Sequence, residues 1–198
     1  MPANMFRVEP ITQEHLKNAT DLFNDFIEGS NKRACGVCSC SNCPNSEADL
    51  QQEYQKCPAK MQITGMIVNS ESGEVIGSVK MQQHGMPSAT PLDACLHTTR
   101  PGEMYIDWMS VSASARGMGA GTRLLEWCEQ VARTRGASFL SLGVLNGSPA
   151  RRLYERHGYV RKQQGMCSSV CGNCVVCCFF GCPFSGHCGW AVMEKQLA

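Results

Sequence analysis

No apolar run in this sequence reaches the length needed to cross a bilayer as a helix. Its opening residues, MPANMFRVEPITQEHLKN, contain no basic stretch followed by an apolar one, so no secretory signal is expected. The expected compartment is the cytosol, with the nucleus also open. Neither sign of charge is in excess: 18 basic residues against 17 acidic ones leave +1. That balance gives no charge-driven affinity for nucleic acid, an anionic membrane or a strongly acidic partner. No internal repeat is visible.

What is present is a globular composition, 43% hydrophobic and 18% charged over 198 residues. This length suits one domain with a real core, and a single domain over 1–198 is expected. Phe6-Arg7-Val8 reads as a first strand. Leu16, Ala19, Leu22, Phe23, Phe26 and Ile27 recur at helical spacing, with Thr12 as the expected N-cap. A weaker helix is expected over Glu47–Lys56. Met61–Val68 and Glu74–Met81 flank a turn and read as a hairpin. Met104–Val111 and Phe139–Leu145 read as strands, separated by a helix over 119–135 that closes on Arg133-Thr134-Arg135-Gly136. Ser148-Pro149 suits an N-cap and first helical position. Tyr159–Lys162 and Trp190–Lys195 are candidate last strands.

The segment with most chemical content is Val111-Ser112-Ala113-Ser114-Ala115-Arg116-Gly117-Met118-Gly119-Ala120-Gly121-Thr122. A strand ends, the chain turns on glycines and a helix begins. The first amides of a helix have no intrahelical acceptor, and the helix dipole favours negative charge there. Glycines let a ligand approach the backbone. Such a turn suits a pyrophosphate. No Lys-Ser or Lys-Thr follows the last glycine, which excludes a Walker A loop. Thr122 stands at the third-glycine position, which excludes G-x-G-x-x-G. Taken alone, the segment also reads as a plain strand-to-helix turn.

Arg116-Gly117-Met118-Gly119-Ala120-Gly121 resembles the Arg/Gln-x-x-Gly-x-Gly/Ala motif of the GNAT superfamily of N-acetyltransferases. Downstream, Ala150-Arg151-Arg152-Leu153-Tyr154-Glu155-Arg156-His157-Gly158-Tyr159 resembles that family's Ala-x-x-Leu-Tyr-x-x-x-Gly-Phe signature. The resemblance is clear over Met104–Val160 and looser over Phe6–Met81. It implies an α/β fold, a mixed and mostly antiparallel sheet with one splayed parallel strand pair and helices on both faces. It implies acetyl-CoA as cofactor and an amine as acceptor. The pyrophosphate would lie on the backbone of Arg116, Gly117, Met118, Gly119, Ala120, Gly121 and Thr122. The pantetheine arm would pair with the strand edge at Met109 and Val111. Many family members carry an Asn seven positions before the tyrosine. Here that place is Gly147, and Asn146 precedes it, as a cofactor contact or as part of an Asn-Gly turn. Arg151, Arg152, Arg156 and Arg161 read as a solvated face, with a contact to the 3′-phosphate of CoA as the other reading.

Two proton transfers need residues. An alkylammonium with a pKa near ~10.4 must lose a proton before it attacks, and the departing thiolate gains from a donor. Tyr154 falls where many family members place that donor, although a core tyrosine would fit the same spacing. For the base, alternation along the strand predicts Tyr105, Asp107, Met109 and Val111 on one face. Asp107 is an acid in an otherwise apolar strand, as a base or as a structural carboxylate. Glu103, at the strand entrance, competes for the role.

Of 14 cysteines, 12 fall in two stretches, 35–57 and 167–188, which read as insertions into the α/β chain. With no secretory signal expected, metal binding is preferred to a disulfide framework. Cys35, Cys38, Cys40 and Cys43, with Cys171, Cys174, Cys177 and Cys182, have spacings that suit tetrahedral Zn²⁺. Iron–sulfur and Cu(I) suit thiolates too, but the last gap before Cys182-Pro183 is one residue too long for a ferredoxin run. Reduced thiols with no metal remain the plain reading. In the family fold both loops would border the acceptor side and could close over it as one lid. Cys128, on the apolar stripe of its helix, reads as a core residue. Two functions therefore stand: an acetyltransferase, and a thiol-rich or metal-binding protein that kept the fold without catalysis.

Overall fold

A computed structural model describes residues 5–31, 46–87, 97–164 and 190–197. The strands are β1 (Phe6–Pro10), β2 (Thr64–Asn69), β3 (Val75–Gln83), β4 (Glu103–Val111), β5 (Phe139–Leu145), β6 (Val160–Gln164) and β7 (Trp190–Gln196). The helices are α1 (Leu16–Asn31), α2 (Glu47–Lys56), α3 (Ala120–Thr134) and α4 (Ala150–Arg156). The strands form one sheet in the order β1-β2-β3-β4-β5-β7-β6. Every neighbouring pair is antiparallel except β4 and β5. This is the mixed sheet that the resemblance implies. The parallel pair requires a crossover, and α3 supplies it.

Adjacent residues of a strand point to opposite faces, and β2 shows where the two cores lie. Ile67 belongs to the larger cluster, with Val79, Ile106, Leu124, Cys128 and Leu140. Met66 belongs to a smaller cluster with Leu16, Ala19 and Tyr54. So α3 and α4 cover one face, and α1 and α2 cover the other. Cys128 is fully buried, in the core position its periodicity predicts.

Local boundaries differ from expectation where polar groups find nearer partners. Thr12 caps a 3-10 turn at Gln13–His15 rather than α1 itself; its hydroxyl lies 3.3 Å from His15 Nδ1. The first residues expected of β2 form a 3-10 segment, Pro58–Ile63, because Thr64 Oγ1 donates to the Lys60 carbonyl at 2.9 Å. Pro149 stands one residue before α4, with Ser148 Oγ accepting from the Ala150 amide at 3.3 Å. No helix among the described residues is long and apolar enough to cross a membrane.

The entrance of β4 is locked by one carboxylate. Glu103 is buried and accepts from the Arg100 amide at 2.7 Å, from Arg100 Nε at 3.2 Å and from Ser141 Oγ on β5. His97 Nε2 lies 2.9 Å from Oε1, the oxygen that Ser141 also bonds, while Arg100 holds Oε2; the His97 ring stacks on Tyr105 at 4.1 Å. Arg100 also pairs with Glu194 on β7. One buried acid thus joins the loop before β4 to β5, and through Arg100 to β7. Burial alone would raise its pKa, but the bonds from His97, Ser141 and Arg100 outweigh burial and hold it at about 2. Its stabilising contribution is complete above the ordinary value of 4.5 and is lost as pH falls through about 2. Glu103→Gln is expected to lower unfolding free energy by about 3 kcal/mol at neutral pH, since it strands buried donors. Urea titrations at neutral pH would show that loss, and repeated down to low pH they would show a shallower acid decline than the parent.

Candidate active site

Pairing between β4 and β5 runs from Glu103↔Phe139 to Ile106↔Leu142 and stops there. Beyond that point β4 continues on β3 as far as Val111, and β5 continues on β7 as far as Leu145. The two strands therefore fork, and the inner edges of residues 107–111 and 143–145 face each other without a ladder between them. The cause lies in β4. Met81 pairs with Ile106 and Lys80 pairs with Trp108, so Asp107 is an extra residue with no partner on β3. A β-bulge of this kind bends its strand and re-aims side chains.

The bulge also corrects the expected face. Tyr105, Asp107, Met109 and Val111 do not share one side. Met109 and Val111 pack against the larger core, the side to which Met104 and Ile106 also turn. Tyr105 lies outside both core clusters, stacked on His97. Asp107 turns its carboxylate to Lys80, with 3.3 Å between Oδ2 and Nζ. A single inserted residue reverses the alternation of everything after it.

The chain leaves β4 at the open end of the fork, turns, and enters α3 at that same end. Gly117 and Gly119 have φ of 77° and 91°, a region that side chains with a Cβ rarely adopt. Nothing lies within 4 Å of where a Cβ at either residue would sit, so the backbone is open there. The amides of Ala120, Gly121 and Thr122 open the helix and meet no acceptor among the described residues. Gly121 is needed for packing instead: its Cβ would stand 2.9 Å from Leu153 Cδ2 on α4. Arg116 folds back and donates from Nε to the Val111 carbonyl at 3.2 Å, tying the turn to the strand end.

Close approach at Gly121 brings α4 against the start of α3, and His157 Nε2 lies 3.3 Å from Thr122 Oγ1. Tyr154 on α4 is buried within the larger core, its ring edge-on to Tyr159 at 6.1 Å. Its hydroxyl has no hydrogen-bond partner among the described residues. Burial pushes its pKa up to about 12, so the proton stays on oxygen at neutral pH. The fold thus gathers the glycine turn, the ends of β4 and β5 and the helix carrying Tyr154 at one end of the sheet. Asn146 follows β5 there, half-buried, within a turn closed by the Ser148 amide on the Leu145 carbonyl at 3.0 Å. Glu103 sits at the opposite end of β4, and its bonds leave it unsuited to accept a proton. Arg152, Arg156 and Arg161 are exposed, and Arg151 pairs with Glu155 at 2.8 Å.

The eight cysteines read as metal ligands, Cys35, Cys38, Cys40, Cys43, Cys171, Cys174, Cys177 and Cys182, lie outside the described residues. Among the described residues, no three His, Cys, Asp or Glu side chains meet as a metal site. Spacing missed Lys80, which pairs with Asp107 across the strands, and Glu53 on α2, which pairs with Lys80. Nothing local marks them, because both contacts exist only after β3, β4 and α2 have come together.

Residues 26–159 match the acetyltransferase (GNAT) family, a span that includes the glycine turn, the fork and Tyr154. The chain belongs to the GNAT acetyltransferase family. Solved structures with the same fold include a GNAT phosphinothricin acetyltransferase from Sinorhizobium meliloti in complex with acetyl-CoA. It is 15% identical, with 98% of this chain and 89% of that one covered and a TM-score of 0.65. A ribosomal-protein-alanine N-acetyltransferase from Brucella melitensis is 17% identical, with 96% and 99% covered and a TM-score of 0.63. A GCN5-related N-acetyltransferase from Kribbella flavida is 16% identical, with 98% of each chain covered and a TM-score of 0.65. At such identities the likeness is one of fold.

This GNAT chain departs from the resembled signature at its last position, where Tyr159 replaces Phe. The Tyr159 hydroxyl is buried with no hydrogen-bond partner among the described residues, an arrangement that destabilises. Tyr159→Phe is expected to raise stability by about 1 kcal/mol, measured as a higher denaturation midpoint with an unchanged slope.

Proposed function

We propose that this chain moves an acetyl group from acetyl-CoA to a primary amine by direct attack of the amine on the thioester. The observation that carries the proposal is the coincidence, at one end of the sheet, of a forked strand pair and an open helix start. Acetyl-CoA, when bound, supplies the activated acyl group. The residues present fit it. Within the Arg116–Thr122 turn, the amides of Ala120, Gly121 and Thr122 meet no acceptor among the described residues, and the backbone at Gly117 and Gly119 leaves open space for a diphosphate, with the dipole of α3 behind them. The inner edge of β4, unpaired with β5 at Met109 and Val111 and holding only the Arg116 Nε bond to the Val111 carbonyl, offers its remaining ladder groups to the amides of a pantetheine arm. Asn146, at the end of β5, lies on the other side of the same fork.

Within this reading Tyr154 holds a proton on Oη and gives it to sulfur. Its raised pKa keeps that proton in place until negative charge builds on the leaving group. Asp107, on the bulge at the base of the fork, takes the proton that the acceptor ammonium must lose. Family membership and the parallel with acetyl-CoA complexes of the same fold support the donor; the acceptor's primary amine is our own reading. The cysteine load favours the second reading, a thiol-rich protein with no turnover.

Acetyl-product mass after incubation with acetyl-CoA and a panel of primary amines separates the two, and product is expected. Tyr154→Phe should lower kcat by about 10²-fold with CoA affinity retained; undiminished turnover removes Tyr154 from the mechanism. Gly119→Asp places a side chain at a positive φ and a negative charge at the helix start, and is expected to weaken CoA binding about tenfold by calorimetry.

A further inference from the structure

A row of ionised side chains runs from the protein interior to Asp107. Lys60 Nζ lies 2.8 Å from Glu53 Oε1. Lys80 Nζ lies 3.4 Å from Glu53 Oε2 and 3.3 Å from Asp107 Oδ2. The charges alternate along the row. Side-chain exposure rises in the same order, 2% at Lys60, 11% at Glu53, 17% at Lys80 and 25% at Asp107. The row is therefore anchored inside and ends at the fork.

Each member limits the next. An ammonium as buried as Lys60 requires a partner, and Glu53 is that partner. Burial would raise the Glu53 carboxyl, but Lys80 and Lys60 outweigh it and hold it below the usual carboxylate range. Glu53 is thus ionised, with one oxygen committed to the interior and the other presented to Lys80. Lys80 is opposite Trp108 in the ladder, directly beside the bulge. Asp107, as the extra residue of the bulge, has no cross-strand partner on β3 to set its side chain. Lys80 supplies what the ladder omits. Exposed ion pairs hold little, but these are largely buried and share partners.

We infer that Lys80, and behind it Glu53, are positioning residues that fix the Asp107 carboxylate at the fork for its encounter with the acceptor amine. The inference rests on Asp107 acting as the proposed base. It also makes α2, which carries Glu53, part of the acceptor side of the site.

The test is a double-mutant cycle on the full chain, using an amine that the parent acetylates. Lys80→Met should lower kcat about tenfold with the KM for acetyl-CoA unmoved. Lys80→Arg should restore most of that loss. In an Asp107→Asn background, Lys80→Met should remove nothing further, because it acts only through Asp107. Glu53→Gln strands two buried ammonium groups, so it is compared with the Lys60→Met/Glu53→Gln pair; both should lower kcat if they fold. Crystal structures of the parent and of Lys80→Met supply a readout without turnover, with the Asp107 carboxylate expected to leave its parental rotamer. An equal loss in both backgrounds, or an unmoved Asp107 carboxylate, overturns the inference. So does an Asp107→Asn protein of full activity, which leaves the roles of Tyr154 and the glycine turn standing. A parent with no turnover on any amine is a failure of the proposed function, and the crystal structures then decide the positioning claim alone.

Discussion

The extra residue in β4 is the constraint on which the site depends. With Met81 opposite Ile106 and Lys80 opposite Trp108, Asp107 has no place in the ladder with β3. Pairing with β5 ends at the residue before it. A parallel pair with regular hydrogen bonds throughout would expose no edge at the end where α3 begins. The fork provides that edge. Because α3 must cross from the end of β4 to the start of β5, its amino terminus necessarily lies at the open end of the fork. The amino terminus of α3 and the unpaired edge of a strand thus coincide for a topological reason.

The two acids of β4 show how environment separates structure from chemistry. Glu103 is enclosed by donors from three segments and held at about 2, so it binds strands together and is unavailable for proton transfer. Asp107 is more exposed and meets Lys80 at the edge of the bulge. Tyr154 is the complementary case, a phenol that burial moves further from ionisation, up to about 12. The same low-polarity interior that makes Glu103 depend on its partners makes the Tyr154 proton persistent.

Much of the architecture was legible along the chain. The strand Phe139–Leu145, the last strand expected over Trp190–Lys195 and found over Trp190–Gln196, the helix over Glu47–Lys56 and the closure of α3 at Gly136 follow from apolar spacing and punctuating residues. The glycine turn was legible because its glycines are adjacent and two of them need positive φ. The shared face of Tyr105, Asp107, Met109 and Val111 was not. Strict alternation holds only for an unbroken ladder, and no residue type announces a bulge at Asp107. Boundaries shifted at Thr12, Thr64 and Pro149, where a nearby polar side chain took a backbone group the expected element would have used. The role of Glu103 was likewise hidden, since its partners His97, Arg100 and Ser141 converge only in the folded chain.

Sequence alone determined the order of elements, the glycine turn at 116–122 and the placement of Tyr154 on a short helix after β5. These depend on residues near one another in the chain, where backbone preference and apolar period act directly. Tertiary structure decided where β4 and β5 part, which way Asp107 faces, and that Lys80, itself paired with Glu53, reaches it. Those outcomes depend on strand register and on charges buried together from distant segments. Neither is encoded by any local run of residues.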